Sequence, residues 1–215
     1  MNAIASRAGG SKMTLYNYYE SKEALFEAFV MESGAAALQR ILDVPRDGGD
    51  LRKILTGLGC AFLRLVSRDE VVAIDRLVIG EAKRLPELIR IYYACGPMRT
   101  LEVIQSLMES WAAAGYLRTG DVPMRTVALH FMSLCDAGLY TRMMWGLDTA
   151  PTAAKLRTVV ASAVDAFIGA YAVQAVLTEP VVLRPVSAPP AAPGKSTPRP
   201  KAKPREQRGG VSSEL

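Results

Sequence analysis

Cysteine and histidine are scarce in this 215-residue chain. The three cysteines, Cys60, Cys95 and Cys135, lie far apart and form no pairing motif. An odd count, with no basic and then apolar leader at the start, points to a reducing, cytoplasmic setting. His130 is the single histidine. No cysteine or carboxylate stands at a metal-ligand spacing from it, and no Ser or Cys lies in an elbow-like context. The expectation is therefore no catalytic residue, no metal and no cofactor, so the chain does not read as an enzyme. His130 is expected in the core or lining a pocket, and the cysteines as small buried hydrophobes.

The basic excess is also thin where it first looks general. The formal charge is +5, from 26 basic and 21 acidic residues. Residues 178–215 hold seven of the basic groups against three acidic ones, so the preceding 177 residues are nearly balanced. A body-wide basic surface is excluded, and any nucleic-acid footprint must be local. Residues 178–215 also lack aromatic residues and contain eight of the thirteen prolines. Such a Pro-, Ala- and Lys/Arg-rich tail cannot bury enough apolar surface to offset its ordering entropy, so disorder is expected there. Its basic groups could add phosphate contacts without reading sequence.

No segment shows the sustained alternation of a half-buried strand. Half the residues are hydrophobic, enough for a sizeable core, and they recur at helical spacing. Short helices are expected over residues 2–8 and 11–19, separated by Gly9-Gly10. Ser21 can cap a third, with Glu23 in its first turn and Leu25, Phe26, Phe29 and Val30 on one face. Asp50 can cap a helix bearing Leu51, Ile54, Leu55, Leu58 and Phe62.

Ser67-Arg68-Asp69-Glu70 has the capping-box pattern ahead of Val71, Ile74, Leu77 and Val78. A helix from Pro86 should kink or break at Gly96-Pro97, resume through Leu101, Ile104, Met108 and Trp111, and end at Gly115. Asp121 and Pro123 should start a long helix reaching Gly146, and Thr149-Ala150-Pro151 a last one to Leu177. Residues 158–177 carry only Asp165 as a charge, but that ionised group would cost about 2.5–3.5 kcal/mol on membrane insertion. A helix buried in a water-surrounded assembly is expected instead.

The sharpest signal lies in the first 30 residues. A short helix, a Gly turn and Ser11–Tyr19 form a helix-turn-helix pattern, with Ile4, Ala5, Ala8 and Leu15 placed to pack the two helices together. The second helix presents Lys12, Met13, Thr14, Tyr16, Asn17 and Tyr18 outward. That density of amide, hydroxyl and aromatic groups suits a helix entering the major groove, with Lys12 reaching phosphate. Arg7, Lys12 and Lys22 against Glu20 make this region locally positive.

The run Ile4-Ala5-x-Arg7-Ala8-Gly9-x-Ser11-Lys12-x-Thr14-Leu15-Tyr16-x-Tyr18-Tyr19-x-Ser21-Lys22-Glu23-Ala24-Leu25 resembles the DNA-binding domain of the TetR family of bacterial transcriptional regulators. Arg76–Ala82 with Pro86-Glu87-Leu88 resembles one subtype of that family's C-terminal domain. The resemblance implies an all-α fold: a helix-turn-helix domain over 1–31, a helical effector-binding and dimerisation domain over 32–177, and the tail over 178–215. It also implies that Lys12, Met13, Thr14, Tyr16, Asn17 and Tyr18 face DNA, with Tyr16 and Lys22 on phosphates and Leu15, Tyr19, Leu25 and Phe26 in the core. Base preference is expected mostly from Met13, Asn17 and Tyr18.

The family domain has a further helix before this motif, which does not precede it here. We expect either a longer natural chain or weakened DNA binding. The implied function is a ligand-responsive regulator, a repressor by expectation. It would bind a pseudo-palindromic operator in double-stranded DNA as a homodimer, without a membrane, and a small molecule would release it. The alternative is an all-helical ligand- or partner-binding dimer that has lost specific DNA binding. Leu156, Val160, Ala163, Val164, Phe167, Ile168 and Tyr171 are expected to form the dimer surface, with Ala137 and Gly138 permitting close approach. Arg76, Glu81, His130, Asp136 and Tyr140 could orient an effector, pair with one another or lie exposed.

Overall fold

The computed structural model describes Arg7, Gly9, residues 12–43, residues 47–173 and Val181–Val182. Met1–Glu20 and Ser21–Pro189 belong to separate compact units. The first contains α1 (Lys12–Tyr18). The second contains α2 (Lys22–Leu42), α3 (Leu51–Val66), α4 (Asp69–Gly80), α5 (Pro86–Tyr93), α6 (Arg99–Ala113), α7 (Met124–Asp136), α8 (Leu139–Met144) and α9 (Ala153–Tyr171). A two-stranded antiparallel pairing joins β1 (Asp47–Gly49) to β2 (Val181–Val182). Among the described residues the fold is all-α apart from this pairing and a single bridge between Leu117 and Ala172. The expected helix over residues 2–8 lies outside the described residues except for Arg7, which is helical. The rest of the 178–215 tail lies outside them as well.

Caps mark several of the helix starts. Ser21 accepts a hydrogen bond from the Ala24 N–H at 3.0 Å, and Asp50 accepts one from the Arg52 N–H at 2.7 Å. Each satisfies a donor that has no partner within its own helix. The capping box at Ser67 does not form. Ser67 closes α3 by donating its N–H to the Leu63 carbonyl at 2.9 Å, so Arg68 becomes the N-cap of α4 and makes no side-chain cap bond. Two helices joined by only Ser67 and Arg68 leave the serine no freedom to serve both ends.

Three further boundaries differ from expectation. The kink at Pro97 is a single π-helical turn, Ala94–Met98, that carries α5 into α6. The wider turn accommodates a residue that cannot donate. The long helix expected from Asp121 to Gly146 is instead two. Ala137 (φ 43°) and Gly138 (φ 80°) are both left-handed and separate α7 from α8. Asp136 Oδ1 accepts from the Tyr140 N–H at 2.8 Å and caps the new start. The last helix ends at Tyr171, because the backbone then pairs with residues 116–118. Arg118 N–H donates to the Tyr171 carbonyl at 2.8 Å, and Val173 N–H to that of Tyr116 at 3.0 Å.

The core of the larger unit lies among α3, α6, α7 and α9. Leu51, Ile54, Leu55, Leu58 and Phe62 are all buried, as their spacing requires, and so are Leu101, Ile104, Met108 and Trp111. Full burial of each such side chain favours folding by roughly 1.5–3 kcal/mol. Phe131 and Phe167 meet edge to face with centroids 5.2 Å apart. At Gly59 of α3 an added Cβ would stand 2.7 Å from Val160 Cγ1 and 2.9 Å from Cys135 Sγ, so α3 approaches α7 and α9 closely there.

This core overturns the expected dimer surface. Leu156, Val160, Ala163, Val164, Phe167 and Ile168 are buried within the protomer, and Tyr171 is half-buried beside Phe167. Their apolar stripe is used against α3 and α7 and is not free for a second copy. Ala137 and Gly138 are exposed at the break that ends α7. No described helix is long and apolar enough to cross a membrane. Asp165, the lone charge of the 158–177 stretch, is exposed and ion-paired with Arg52.

Candidate nucleic-acid interface and effector groove

Most of the residues expected to read DNA are solvent-exposed in the smaller unit. Gly9 has φ 68°, the left-handed geometry of the expected turn. On α1, Met13 is 74% exposed, Tyr18 66% and Tyr16 44%, and Thr14 and Asn17 are also exposed. Leu15 and Tyr19 are half-buried, so α1 has one sheltered stripe and a broad outer face. Tyr19 N–H donates to the Leu15 carbonyl at 2.8 Å and closes the last turn. Lys12 begins α1, and its side chain lies outside the described residues.

Lys22 belongs to the other unit, exposed in the first turn of α2 directly after the Ser21 cap. Leu25 and Phe26 are half-buried there, Val30 is buried and Phe29 is exposed. The outer face of α1 can donate and accept hydrogen bonds and offer apolar contact, the combination that reads base edges.

The polar groups expected within the helical unit are resolved into pairs. Tyr140 Oη donates to Asp75 Oδ2 at 2.7 Å, and the Tyr92 phenol lies close enough to feel the same carboxylate. Asp75 is 8% exposed. Burial, then the Asp75 carboxylate, pushes both tyrosyl hydroxyls well above the usual phenol range. Arg76 donates to the Met144 carbonyl at 3.1 Å and to that of Met143. Glu81 pairs with Arg84 at 2.8 Å.

His130 is exposed rather than in the core, with Nδ1 2.5 Å from the Tyr171 hydroxyl. Cys60 and Cys135 are buried and Cys95 half-buried, and burial pushes the Cys135 thiol up to about 12. No group of three metal-ligating side chains assembles among the described residues.

A cleft of about 450 Å³ opens between α4 and α8. Arg76 and Ile79 line one wall, and Tyr140, Thr141, Met144 and Trp145 the other. Asp75 and Tyr92 were missed as a polar centre in the sequence. The available signal was a carboxylate set inside the apolar run Val71–Gly80. What hid the centre was the break at Ala137-Gly138, which turns α8 so that Tyr140 reaches α4.

The profile of the AefR-like transcriptional repressor C-terminal domain matches residues 53–173, and that of the bacterial regulatory proteins of the tetR family matches residues 1–29. Among solved structures, the Flavonoid-responsive Regulator FrrA is 30% identical with a TM-score of 0.68, over 81% of this chain and 87% of its own. A TetR-family transcriptional regulator of Mesorhizobium loti is 26% identical with a TM-score of 0.70, over 80% of this chain and 86% of its own. A TetR regulator from Agrobacterium tumefaciens is 25% identical with a TM-score of 0.66, over 80% and 84%. No curated protein matches at a comparable level. With both halves of the architecture matched and the helix-turn-helix face exposed, the chain belongs to the TetR family of transcriptional regulators.

Proposed function

We propose that this regulator is a cytoplasmic repressor that binds a pseudo-palindromic operator as a homodimer and is released by a small molecule. The observation that carries the reading is the exposed face of α1, with Met13, Thr14, Tyr16, Asn17 and Tyr18 solvent-facing on one short helix. In this reading α1 is the recognition helix. Met13, Asn17 and Tyr18 read base edges, and Thr14 supports them. Lys12, Tyr16 and Lys22 hold phosphates, and at Lys22 the helix dipole of α2 adds to the charge. Two such heads must stand about 34–36 Å apart to enter successive major grooves.

Dimerisation through the outer faces of α7 and α9 fits the exposure there of Leu129, Leu134, Ala161 and Gly169. The flavonoid responsiveness named for FrrA supports an aromatic effector. An effector can shift the dimer between DNA-competent and released states only by its differential affinity for the two.

The test is anisotropy titration of the DNA flanking the protein's own coding region at several salt concentrations. Lys22→Ala should weaken binding evenly across sequences and lower the salt slope by about one unit. Asn17→Ala should instead relax base preference, by roughly 1–3 kcal/mol at one position. Binding by both variants indistinguishable from the parent protein refutes the assignment of this face.

A further inference from the structure

The basic groups near the end of the sequence are not spread evenly. Residues 183–194 carry one charge, Arg184, and four prolines, Pro185, Pro189, Pro190 and Pro193. Residues 195–208 carry six basic groups, Lys195, Arg199, Lys201, Lys203, Arg205 and Arg208, against Glu206 alone. That block is +5, as large as the formal charge of the whole chain. A proline-rich spacer is thus followed by a block of one sign.

The fold fixes where the spacer begins. Val182 pairs with Asp47, and Val181 with Gly49, in the β1–β2 ladder. β1 stands between the end of α2 at Leu42 and the start of α3 at Leu51. The chain therefore leaves β2 beyond the end of α2 that is opposite Lys22. The 21 residues of α2 make a rod of about 30 Å. The twelve residues of the spacer reach about 37 Å at the rise of a polyproline helix. Spacer and rod match in length, so the basic block comes within reach of the Lys22 end of α2.

We propose that Lys195–Arg208 is a second DNA contact, delivered by the spacer from the β1–β2 anchor to the backbone phosphates beside Lys22. Lysine and arginine side chains supply phosphate contacts that position a protein without reading sequence. The block has no aromatic residue to stack on unpaired bases, so its partner is duplex rather than single-stranded nucleic acid. The proposal rests on the operator-binding reading above, which puts duplex beside Lys22, and adds to it a contact outside both helical units.

The experiment is anisotropy titration of the full chain between about 50 and 200 mM salt, on the DNA flanking its coding region and on a duplex of unrelated sequence. One variant combines Lys195→Gln, Arg199→Gln, Lys201→Gln, Lys203→Gln, Arg205→Gln and Arg208→Gln. If half of these charges meet phosphates, the salt slope falls by about 2.7 units, and the same rise in salt costs about fortyfold less affinity than in the parent. The change should be equal on both duplexes. A second variant exchanges the order of residues 183–194 and 195–208, which keeps length, composition and charge. Four of the six basic groups then lie within about 28 Å of β2 and stop short of the Lys22 end, so most of the same slope should be lost. Circular dichroism melting checks that both variants fold.

A glutamine variant with the parent's slope overturns the proposal, and so does an exchanged variant that keeps it. Tighter DNA binding by the glutamine variant also overturns it, by putting the block on Glu23, Glu27 and Glu32, the exposed acidic side chains of α2. Lys22→Ala and Asn17→Ala on the same duplexes separate the two readings. If those two act as expected and the tail variants do not, the second contact alone is rejected. If the tail variants act and those two do not, the recognition face is rejected and the second contact stands.

Discussion

Gly59→Ala probes the packing that organises the larger unit. The new methyl would stand 2.7 Å from Val160 Cγ1 and 2.9 Å from Cys135 Sγ, both closer than Cβ atoms normally come. Val160 and Cys135 are fully buried, so neither can swing into solvent. Val160 is moreover β-branched and stiff at χ1, which leaves movement of α9 away from α3 as the relief. Overpacking of this kind costs about 2–3 kcal/mol, at the upper end of its usual range because two contacts are violated at once.

Against that, Ala in a helix interior is favoured over Gly by about 0.8–1 kcal/mol. The net loss is about 1–2 kcal/mol, a fall in Tm of about 3–6 °C for a chain of this size. Calorimetric melting of the parent and the variant measures it. The decisive arm is the Val160→Ala background. Val160→Ala alone should cost about 2 kcal/mol through lost burial and a partial cavity. Within it, Gly59→Ala should cost clearly less than in the parent, because only the Cys135 Sγ contact then opposes the helix propensity gain. A Gly59→Ala protein that melts higher than the parent, or a cost undiminished in the Val160→Ala background, refutes the close approach of α3 and α9.

Other expectations concern the helix break and the buried thiol. Ala137 is a non-glycine residue at φ 43°, so Ala137→Gly should raise stability by about 0.5–1 kcal/mol despite the more flexible unfolded chain, seen as a higher melting temperature. A lower one would show that the break is not strained. The Cys135 thiol is pushed from 9.0 to about 12 by burial first, with Cys60 and Asp136 adding to it. A raised pKa means that the folded state keeps the proton the unfolded chain gives up. This contribution to stability is full below pH 9 and is lost as the pH climbs towards 12. Cys135→Ala should therefore lose stability less steeply across that interval in denaturant titrations, the remaining slope belonging to Cys60, Cys95, Tyr92 and Tyr140, which are raised as well. A slope identical to the parent's would remove the thiol from the alkaline response.

What the sequence by itself determined is local. Helix identity followed from spacing and caps, because a serine or aspartate before an apolar periodic run satisfies orphan N–H groups wherever the run is placed. Ser21 and Asp50 show this directly. The outer face of α1 was legible for the same reason, since a seven-residue helix with one sheltered stripe at Leu15 leaves the other positions outward.

What only the tertiary structure decided is which partner each apolar stripe meets and where buried polar groups find one another. The stripe from Leu156 to Ile168 looked the same whether it faced a second copy or α3, and the glycine that admits α9 at Val160 sits about a hundred residues earlier in the chain. Asp75 and Tyr140 come from different helices and meet because two left-handed residues break α7 from α8, with Tyr92 of a third helix near the same carboxylate. Spacing along one helix carries no trace of such a meeting, because the free energy that selects it is the satisfaction of one buried carboxylate by groups distant in sequence.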